Sequence, residues 1–439
     1  MESKFSVPPV QKREIFGWAM YDFANSSYTT VVITVIYSAF FVEQIVPASS
    51  TAKDSYWSIA IILATIVSLI FSPFVGVLCD FSGHKKKYLM ASTLLCSLGT
   101  AALFWVEPGS VTLGIFLLVI SNVGFMLGEN FCASFLPDLA SKEKMALISG
   151  IGWGIGYMGG LASLLLVLAV VPEKGTAGFI KSNQWAMVAI GCFFFIAALP
   201  TFLLVKERSR PAPGFESFNW NKLIGAGFSS LQSSLSIVRQ YPVLFQFLLA
   251  FMVYMAGLEV VIKFVGIYAT AELQFGTGEL TIMFLIIQFS AMAGALGFGF
   301  VESKIGPKTT VLLTLILWVI CIVGIIVVDQ IAAFMGSDPK NVFFAISLLA
   351  GAGIGSTQSS SRAVVGMLTP ARHSGQMFGF WGLFAKLSIV LGMTFGFISD
   401  ALDSRRMALV LVIGFFVVGG ILLLRIPLTQ GIEAAKKES

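Results

Sequence analysis

The sequence predicts an all-α integral membrane protein with twelve spanning helices in two groups of six. Of its 439 residues, 56% are hydrophobic and only 12% are charged, and the mean hydropathy is +0.88. Soluble domains carry about 25% charged residues, so this composition excludes an ordinary soluble fold. Long apolar runs recur along the whole chain, and one long polar break divides them six and six.

Twelve apolar runs approach the roughly 20 helical residues that are needed to cross about 30 Å of hydrocarbon. The first six runs lie near residues 16–42, 56–80, 87–106, 111–135, 147–171 and 184–206. The last six lie near residues 241–268, 279–301, 309–328, 341–366, 375–400 and 406–427. The first run exceeds the roughly 7–15 residues of a signal-peptide core, so we expect it to span the membrane rather than to be cleaved.

The polar break at residues 207–238 sets the expected domain boundaries. It contains Pro211 and Pro213, followed by a mildly amphipathic stretch. We expect an N-terminal bundle at 1–206, a cytoplasmic linker at 207–238 and a C-terminal bundle at 239–439.

The distribution of lysine and arginine predicts the orientation in the membrane. Most of these residues fall in the loops on the side of the N-terminus, whereas the opposite loops hold only Lys53, Lys174, Lys181, Lys340, Arg405 and Arg406. Positively charged loops stay in the cytoplasm, so both termini should be cytoplasmic. In a bacterium the membrane would be the inner one. The net charge of +5 has the same origin and does not indicate nucleic-acid binding.

A glycine- and lysine-rich turn joins the second and third runs, with Gly76, Asp80, Gly83, Lys85 and Lys87 at its fixed positions. Gly83 permits a backbone turn with positive φ. The carboxylate of Asp80 can pair with the lysines or with a neighbouring helix terminus. We interpret the turn as a conformational latch. The alternative is a basic cytoplasmic turn of some other membrane protein.

A second copy of this pattern follows the eighth run, at Gly299, Ser303, Gly306 and Lys308. Ser303 replaces the aspartate, and Glu302 beside it is a possible substitute. Two six-helix repeats around a central substrate site are typical of two-bundle transporters. The pattern in both turns resembles the signature loop of major facilitator transporters.

Five ionisable residues lie within the predicted spans and away from their ends, namely Asp22, Glu129, Glu259, Lys263 and Lys386. Each costs roughly 2.5–3.5 kcal/mol to insert on translocon scales unless it is paired or hydrated. We therefore expect them to face a water-filled cavity or one another.

Acidic and polar residues in the first group of spans are candidates for substrate binding or ion coupling. Asp22, Asn25, Ser26 and Thr29 recur at helical spacing and form one polar stripe. In a transporter this stripe would line the path, and the alternative is a polar patch buried between helices. Glu129 on the fourth span could carry a coupling proton or hold a hydrogen-bonded structural position.

Two cationic positions mark the second group of spans. Glu259 and Lys263 stand four residues apart in the favourable order, so they could neutralise each other or contact substrate. Lys386 has no acidic residue within one helical turn in the sequence. It could bind an anionic group of the substrate, with Asp22 or Glu129 receiving the cationic end, or it could form a static ion pair between the bundles.

Other sequence features bear on packing and on the classes of function that are excluded. Gly152, Gly156 and Gly160, and likewise Gly351 and Gly355, form small-residue faces that let helices approach closely. The five cysteines and two histidines lack metal-ligand spacing, so we expect no metal and no cofactor. The chain has no phosphate-binding Gly-x-x-x-x-Gly-Lys-Ser/Thr loop, so we expect no nucleotide-driven transport.

The first span reads Trp18-Ala-Met-Tyr21-Asp22-Phe-Ala24-Asn25-Ser26. It resembles the opening of the "unknown major facilitator" family, which includes autophagy-linked vacuolar amino-acid effluxers. Further matches are the run 135–140, Ser361-Arg362 and Lys386. The resemblance implies a twelve-helix fold of two pseudo-symmetric bundles. The seventh span has Ala256-Gly257 where that family has an aspartate-glycine pair, so the substrate stays open.

These observations predict a secondary transporter that moves a small polar or zwitterionic, amino-acid-like solute by alternating access. Its expected partners are that solute, the lipid bilayer and a coupling proton or sodium ion, and we expect a monomer. The alternatives are efflux of hydrophobic or lipid-like compounds, which 40 phenylalanines would suit, and a non-transporting sensor. A membrane enzyme would need clustered histidines or paired carboxylates at one surface.

Overall fold

A computed structural model describes residues 11–81, 84–139, 142–172, 175–208, 240–369 and 374–437. Its longer helices are α1 (Lys12–Ile45), α2 (Lys53–Phe81), α3 (Lys85–Ala102), α4 (Val111–Ala133), α6 (Lys142–Val170), α7 (Phe179–Leu204), α8 (Pro242–Leu273), α9 (Thr277–Ile305), α10 (Pro307–Ile326), α12 (Pro339–Leu368), α13 (Ser374–Gly392) and α15 (Arg405–Arg425). Short helices are α5 (Leu136–Leu139), α11 (Val328–Met335), α14 (Thr394–Ala401) and α16 (Leu428–Lys437).

The prediction of twelve spans is confirmed, because the described residues contain twelve helices long and apolar enough to cross a membrane. The eleventh span continues from α13 into α14, to Ala401. Helix α1 is not α-helical throughout, since Tyr28–Val35 and Phe41–Ile45 form π-helical segments within it. Hydropathy predicts where a helix crosses the membrane but does not distinguish these two helical geometries.

Local signals in the sequence account for several helix ends. Asp338 accepts a hydrogen bond from the Lys340 amide and caps α12, which has a proline at its first position. Ser404 caps α15 through the Met407 amide. Gly306 adopts a φ of +83° between α9 and α10, where an L side chain would be strained.

The chain forms two compact units, and the division cuts through its first two helices. The first unit contains residues 1–33 and 63–231, and the second contains residues 34–62 and 232–439. The last part of α1, the following loop and the first part of α2 therefore pack with the C-terminal helices. We call residues 34–62 the hairpin segment.

Small residues bring the helices of the first unit together. Helix α1 packs on α6 and α7, and α3 packs on α4 and α7. A Cβ added to Gly124 of α4 would overlap backbone atoms of Ser92 and Cys96 on α3. At the end of this unit Arg208 donates two hydrogen bonds, of 2.7 and 2.9 Å, to the buried carboxylate of Glu14.

The second unit is packed in the same manner. Helix α8 packs on α13 and α15, and α12 packs on α9 and α10. Gly351 and Gly355 of α12 abut the backbone of α9 at Ile287 and Ala291, so neither position has room for a Cβ. The predicted close approach along this glycine face is thereby confirmed.

Candidate functional site

The polar stripe of α1 lies against the glycine face of α6 in the first unit. A Cβ built on Gly152 would stand 2.3 Å from Oδ2 of Asp22, and one on Gly156 would stand 3.0 Å from Oγ of Ser26. A Cβ on Gly159 would overlap the carbonyl of Phe23. Gly152 therefore leaves the space that the Asp22 carboxylate occupies, and a side chain there would displace that carboxylate.

The stripe also contains a buried amide. Asn25 is 7% exposed, and its Oδ1 accepts no hydrogen bond from the residues that the structure describes. Thr29 instead uses its hydroxyl locally, donating to the carbonyl of Ser26 at 3.2 Å. A buried acceptor of this kind costs about 1–3 kcal/mol if nothing satisfies it, so the position suits a hydrated or ligand-binding surface.

Glu129 joins the stripe from α4. The residue before it, Gly128, lets the hydroxyl of Tyr21 approach so closely that a Cβ there would lie 2.2 Å from that oxygen. Trp18 donates from Nε1 to the carbonyl of Cys132 at 2.9 Å and fixes α1 against α4. These two contacts hold the turn of α1 that carries Asp22 against the turn of α4 that carries Glu129. Two acids on facing helix turns can share one bound proton, and we call Asp22 and Glu129 the carboxylate pair.

The second unit contains the predicted pair on α8. The ammonium of Lys263 donates to a carboxylate oxygen of Glu259, and the two side chains are only 9% and 13% exposed. Trp57 of the hairpin segment donates from Nε1 to the carbonyl of Lys263 at 3.2 Å. The ion pair itself is confirmed, whereas a contact with substrate stays a prediction.

Lys386 is half-buried on α13. A Cβ built on Gly379 or Gly382 would meet no described atom within 4 Å, so this helix has open space beside it. The nearby Ser388 is fully buried and donates to the carbonyl of Ala385 at 2.6 Å. Lys386 is therefore a charged and partly exposed side chain on α13.

A polar and aromatic cluster on α8, α12 and α13 was not singled out from the sequence. The hydroxyls of Tyr254 and Ser361 share a hydrogen bond of 2.7 Å. The Arg362 guanidinium lies 5.4 Å from the centroid of the Trp381 ring, in a cation–π contact. The Ser361-Arg362 pair was visible as a family match, but no pattern marked Tyr254 among so many aromatic residues.

The first predicted latch is described only in part. Gly83 lies outside the described residues, as do the side-chain surroundings of Gly76 and Asp80. Lys85 donates to Oδ2 of Asp138 at 3.0 Å and to the carbonyl of Ser134 at 3.1 Å. Lys87 is exposed.

Lys86, which the motif does not include, has a distinct role. Its ammonium donates to the carbonyls of Phe202 and Val205, both at 2.7 Å, at the end of α7. In the second copy Lys308 donates to the carbonyls of Leu424 and Ile426, both at 2.8 Å, at the end of α15. Each lysine thus binds the negative carbonyl end of another helix. The motif aligns Lys308 with Lys85. The residue that makes the same kind of contact as Lys308 is nevertheless Lys86, one position further along the chain.

The glycines of the second copy have different surroundings. Gly306 forms the positive-φ turn, and a Cβ on Gly299 would meet no described atom within 4 Å. The hydroxyl of Ser303 donates to the carbonyl of Phe300 in its own helix. Ser303 therefore uses its hydroxyl locally, while Lys308 bonds to another helix.

Comparisons with known proteins give a consistent set of relatives. A family described as "Vacuole effluxer Atg22 like" matches residues 48–436. YxiO of Bacillus subtilis, described as an uncharacterized MFS-type transporter, is 24% identical over 96% of this chain and 97% of its own length. Autophagy-related protein 22 of Pichia angusta is 22% identical over 84% of this chain and 74% of its own.

Solved structures were compared in the same way. The crystal structure of a D-xylose–proton symporter superimposes with a TM-score of 0.70 and 13% identity. The match covers 95% of this chain and 98% of the symporter. At such low identity the likeness concerns the fold.

Proposed function

The chain belongs to the Atg22-like family of vacuole effluxers and has the major facilitator fold, and on that premise we propose that it carries a small polar or zwitterionic, amino-acid-like solute. It is a multi-pass integral membrane protein and a transporter rather than an enzyme. The class of solute, the coupling ion and the residues that bind them are the content of the proposal.

The carboxylate pair of Asp22 and Glu129 is the observation that carries the proposal. Two acids on facing turns of a membrane helix bundle are expensive, and such residues typically mark substrate or proton pathways. The unsatisfied amide oxygen of Asn25 lies one turn further along the same helix. We propose that this group takes up a coupling proton or the cationic group of the solute.

In the second unit, Lys386 supports the zwitterionic character of the solute. Its side chain is partly exposed, and Gly379 and Gly382 leave open space on the same helix. We propose that Lys386 binds the carboxylate or another anionic group. Conformational control would fall to the turns around Lys85, Lys86 and Lys308, and the expected bundles at 1–206 and 239–439 would be the moving parts.

The experiment for the function is flux into proteoliposomes, preceded by a screen of amino acids and related solutes for thermal stabilisation. A solute that binds only the folded protein raises its melting temperature. A stabilising solute that also accumulates supports the proposal. A stabilising solute without any flux would indicate a sensor, and stabilisation by hydrophobic compounds alone would contradict the solute class.

Lys386→Ala tests the anionic contact. We expect binding of the intact solute to weaken at least tenfold, or about 1.4 kcal/mol, because an ion-paired hydrogen bond is lost. Binding of an uncharged ester of the same solute should change less than about threefold. Ser388→Ala, on the same helix, is the control. Equal losses for both ligands in folded protein would refute the contact.

The orientation has a test of its own. With both termini cytoplasmic, a reporter fused after Ser439 and one inserted after Ala48 should lie on opposite sides of the membrane. Protease protection or a compartment-specific reporter measures this directly. Both reporters on one side would refute the expected topology.

A further inference from the structure

Two buried hydroxyls of the second unit have no hydrogen-bond partner. Ser38, in the hairpin segment, is fully buried, and Thr270, near the end of α8, is 7% exposed. Neither hydroxyl forms a hydrogen bond with any residue that the structure describes. A buried polar group without a partner costs about 1–3 kcal/mol, so such a group normally contacts a bound water, ion or ligand.

Many other buried serines and threonines satisfy their hydroxyls within their own helix. They donate to a carbonyl three or four residues earlier, as Ser27 of α1 does at 2.6 Å and Thr281 of α9 does at 2.9 Å. The same bond is formed by Thr93, Thr100, Ser121 and Ser163. Ser38 and Thr270 do not form this bond, which leaves their oxygens available to a bound species.

The two hydroxyls lie along a close contact between α1 and α8. A Cβ built on Gly266 would stand 2.6 and 2.7 Å from the carbonyl oxygens of Thr34 and Val35. Helices α1 and α8 are the first and seventh spans, so they cross the membrane in the same direction. Ser38 follows these carbonyls by about one turn, and Thr270 follows Gly266 by one turn. The four oxygens therefore lie within about one helical turn of one another along this contact.

Helix α1 changes its hydrogen-bond pattern on both sides of Ser38. The π-helical segment Tyr28–Val35 ends before it, and the segment Phe41–Ile45 begins after it. The α-helical residues between them, Ile36–Phe40, pack on α8. Where a helix passes from i→i+5 to i→i+4 bonds, one carbonyl is skipped and has no amide partner. Carbonyls freed in interrupted membrane helices are known ligands of sodium ions.

The end of the second unit that holds these oxygens carries an excess of negative charge. The guanidinium of Arg405 faces three carboxylates, at 2.8 Å for Asp54, 3.5 Å for Glu272 and 3.9 Å for Glu43. Glu272 follows Thr270 by only two residues. Because acids outnumber the arginine here, the local potential attracts a further cation.

A buried water molecule is the alternative occupant of this contact. Such a water needs two to four polar partners, which the same oxygens could supply. The acidic surroundings favour a cation over a neutral water molecule. The preceding cation along α8, Lys263, is paired with Glu259 and so does not cancel this preference.

We propose that the second unit binds a sodium ion between α1 and α8, with the hydroxyls of Ser38 and Thr270 and the carbonyls of Thr34 and Val35 as ligands. Sodium is a hard cation that takes oxygen ligands, and neutral hydroxyls and carbonyls are sufficient. The site is separate from the carboxylate pair of the first unit, so it binds its ion whether or not that pair takes up a proton.

The test measures the binding of sodium alone to the purified full-length protein. The melting temperature is compared in sodium, potassium and choline chloride at equal ionic strength. We expect a saturable rise that is specific for sodium, because an ion that binds only the folded state stabilises it. Ser38→Ala and Thr270→Val should each lower the apparent sodium affinity about tenfold or more, whereas Thr270→Ser keeps the hydroxyl and should change it by less than about threefold.

Ser27→Ala and Thr281→Val are the matched controls, because these buried hydroxyls donate within their own helices. Both variants should retain the full stabilisation by sodium. If an alanine or valine variant does not fold, Ser38→Cys replaces the oxygen by sulfur at similar size, and it should also weaken sodium binding because sulfur is a soft ligand.

Two results would overturn the proposal. Equal stabilisation of the wild-type protein by sodium and potassium would leave water as the occupant of the contact. A sodium effect that persists unchanged in Ser38→Cys and Thr270→Val would place the ion elsewhere. Because no solute is present in these measurements, either result is independent of the proposed solute.

Discussion

Replacing Gly152 with valine is expected to reduce transport more than a hundredfold in a protein that still inserts and folds. The added Cβ alone would stand 2.3 Å from Oδ2 of Asp22 and 2.8 Å from the Trp18 ring. Overpacking of this kind typically costs about 1–3 kcal/mol, and here the groups displaced are those of the proposed coupling site. Flux in proteoliposomes and the melting temperature measure the two effects separately.

The matched control for this prediction lies on the same helix. Gly154 is exposed, and a Cβ built there would meet no described atom within 4 Å. Gly154→Val should therefore transport as wild type, and it improves the helix propensity at that position. Equal loss in both variants would mean that valine disturbs α6 in general. Wild-type flux in Gly152→Val would show that the glycine face does not shape the site around Asp22.

The second large effect is expected at the carboxylate pair. Asp22→Asn and Glu129→Gln each remove one charge and mimic the protonated acid, so proton uptake would no longer be linked to solute movement. Accumulation driven by a proton gradient should fall at least tenfold, while exchange of solute across the membrane changes by less than about threefold. The measurement compares gradient-driven uptake with counterflow over a range of pH.

Glu107 is the control carboxyl for this experiment, because it is exposed outside the spans, between α3 and α4. Glu107→Gln should keep both activities. Full pH-dependent accumulation in both single variants and in the double variant would exclude these two acids from coupling. Loss of exchange together with accumulation would instead assign the pair to solute binding.

Hydropathy and short-range spacing in the sequence were sufficient for much of the architecture. Twelve spans follow from composition over windows of about 20 residues, because a helix that crosses lipid must be apolar along its length. The Glu259–Lys263 pair follows from positions four apart on one helix. The close approach at Gly351 and Gly355 follows from small residues at the same spacing. Each of these features depends on residues that are neighbours in the chain.

Only the tertiary structure placed groups together that are far apart in the chain. It assigned residues 34–62 to the second unit, packed the helix turn of Asp22 against that of Glu129 and joined Asp54 to Arg405 across 351 positions. It also showed Lys86, rather than Lys85, in the contact that Lys308 repeats. The physical reason is that helical periodicity defines which face a residue occupies, whereas the partner of that face depends on how the helices pack.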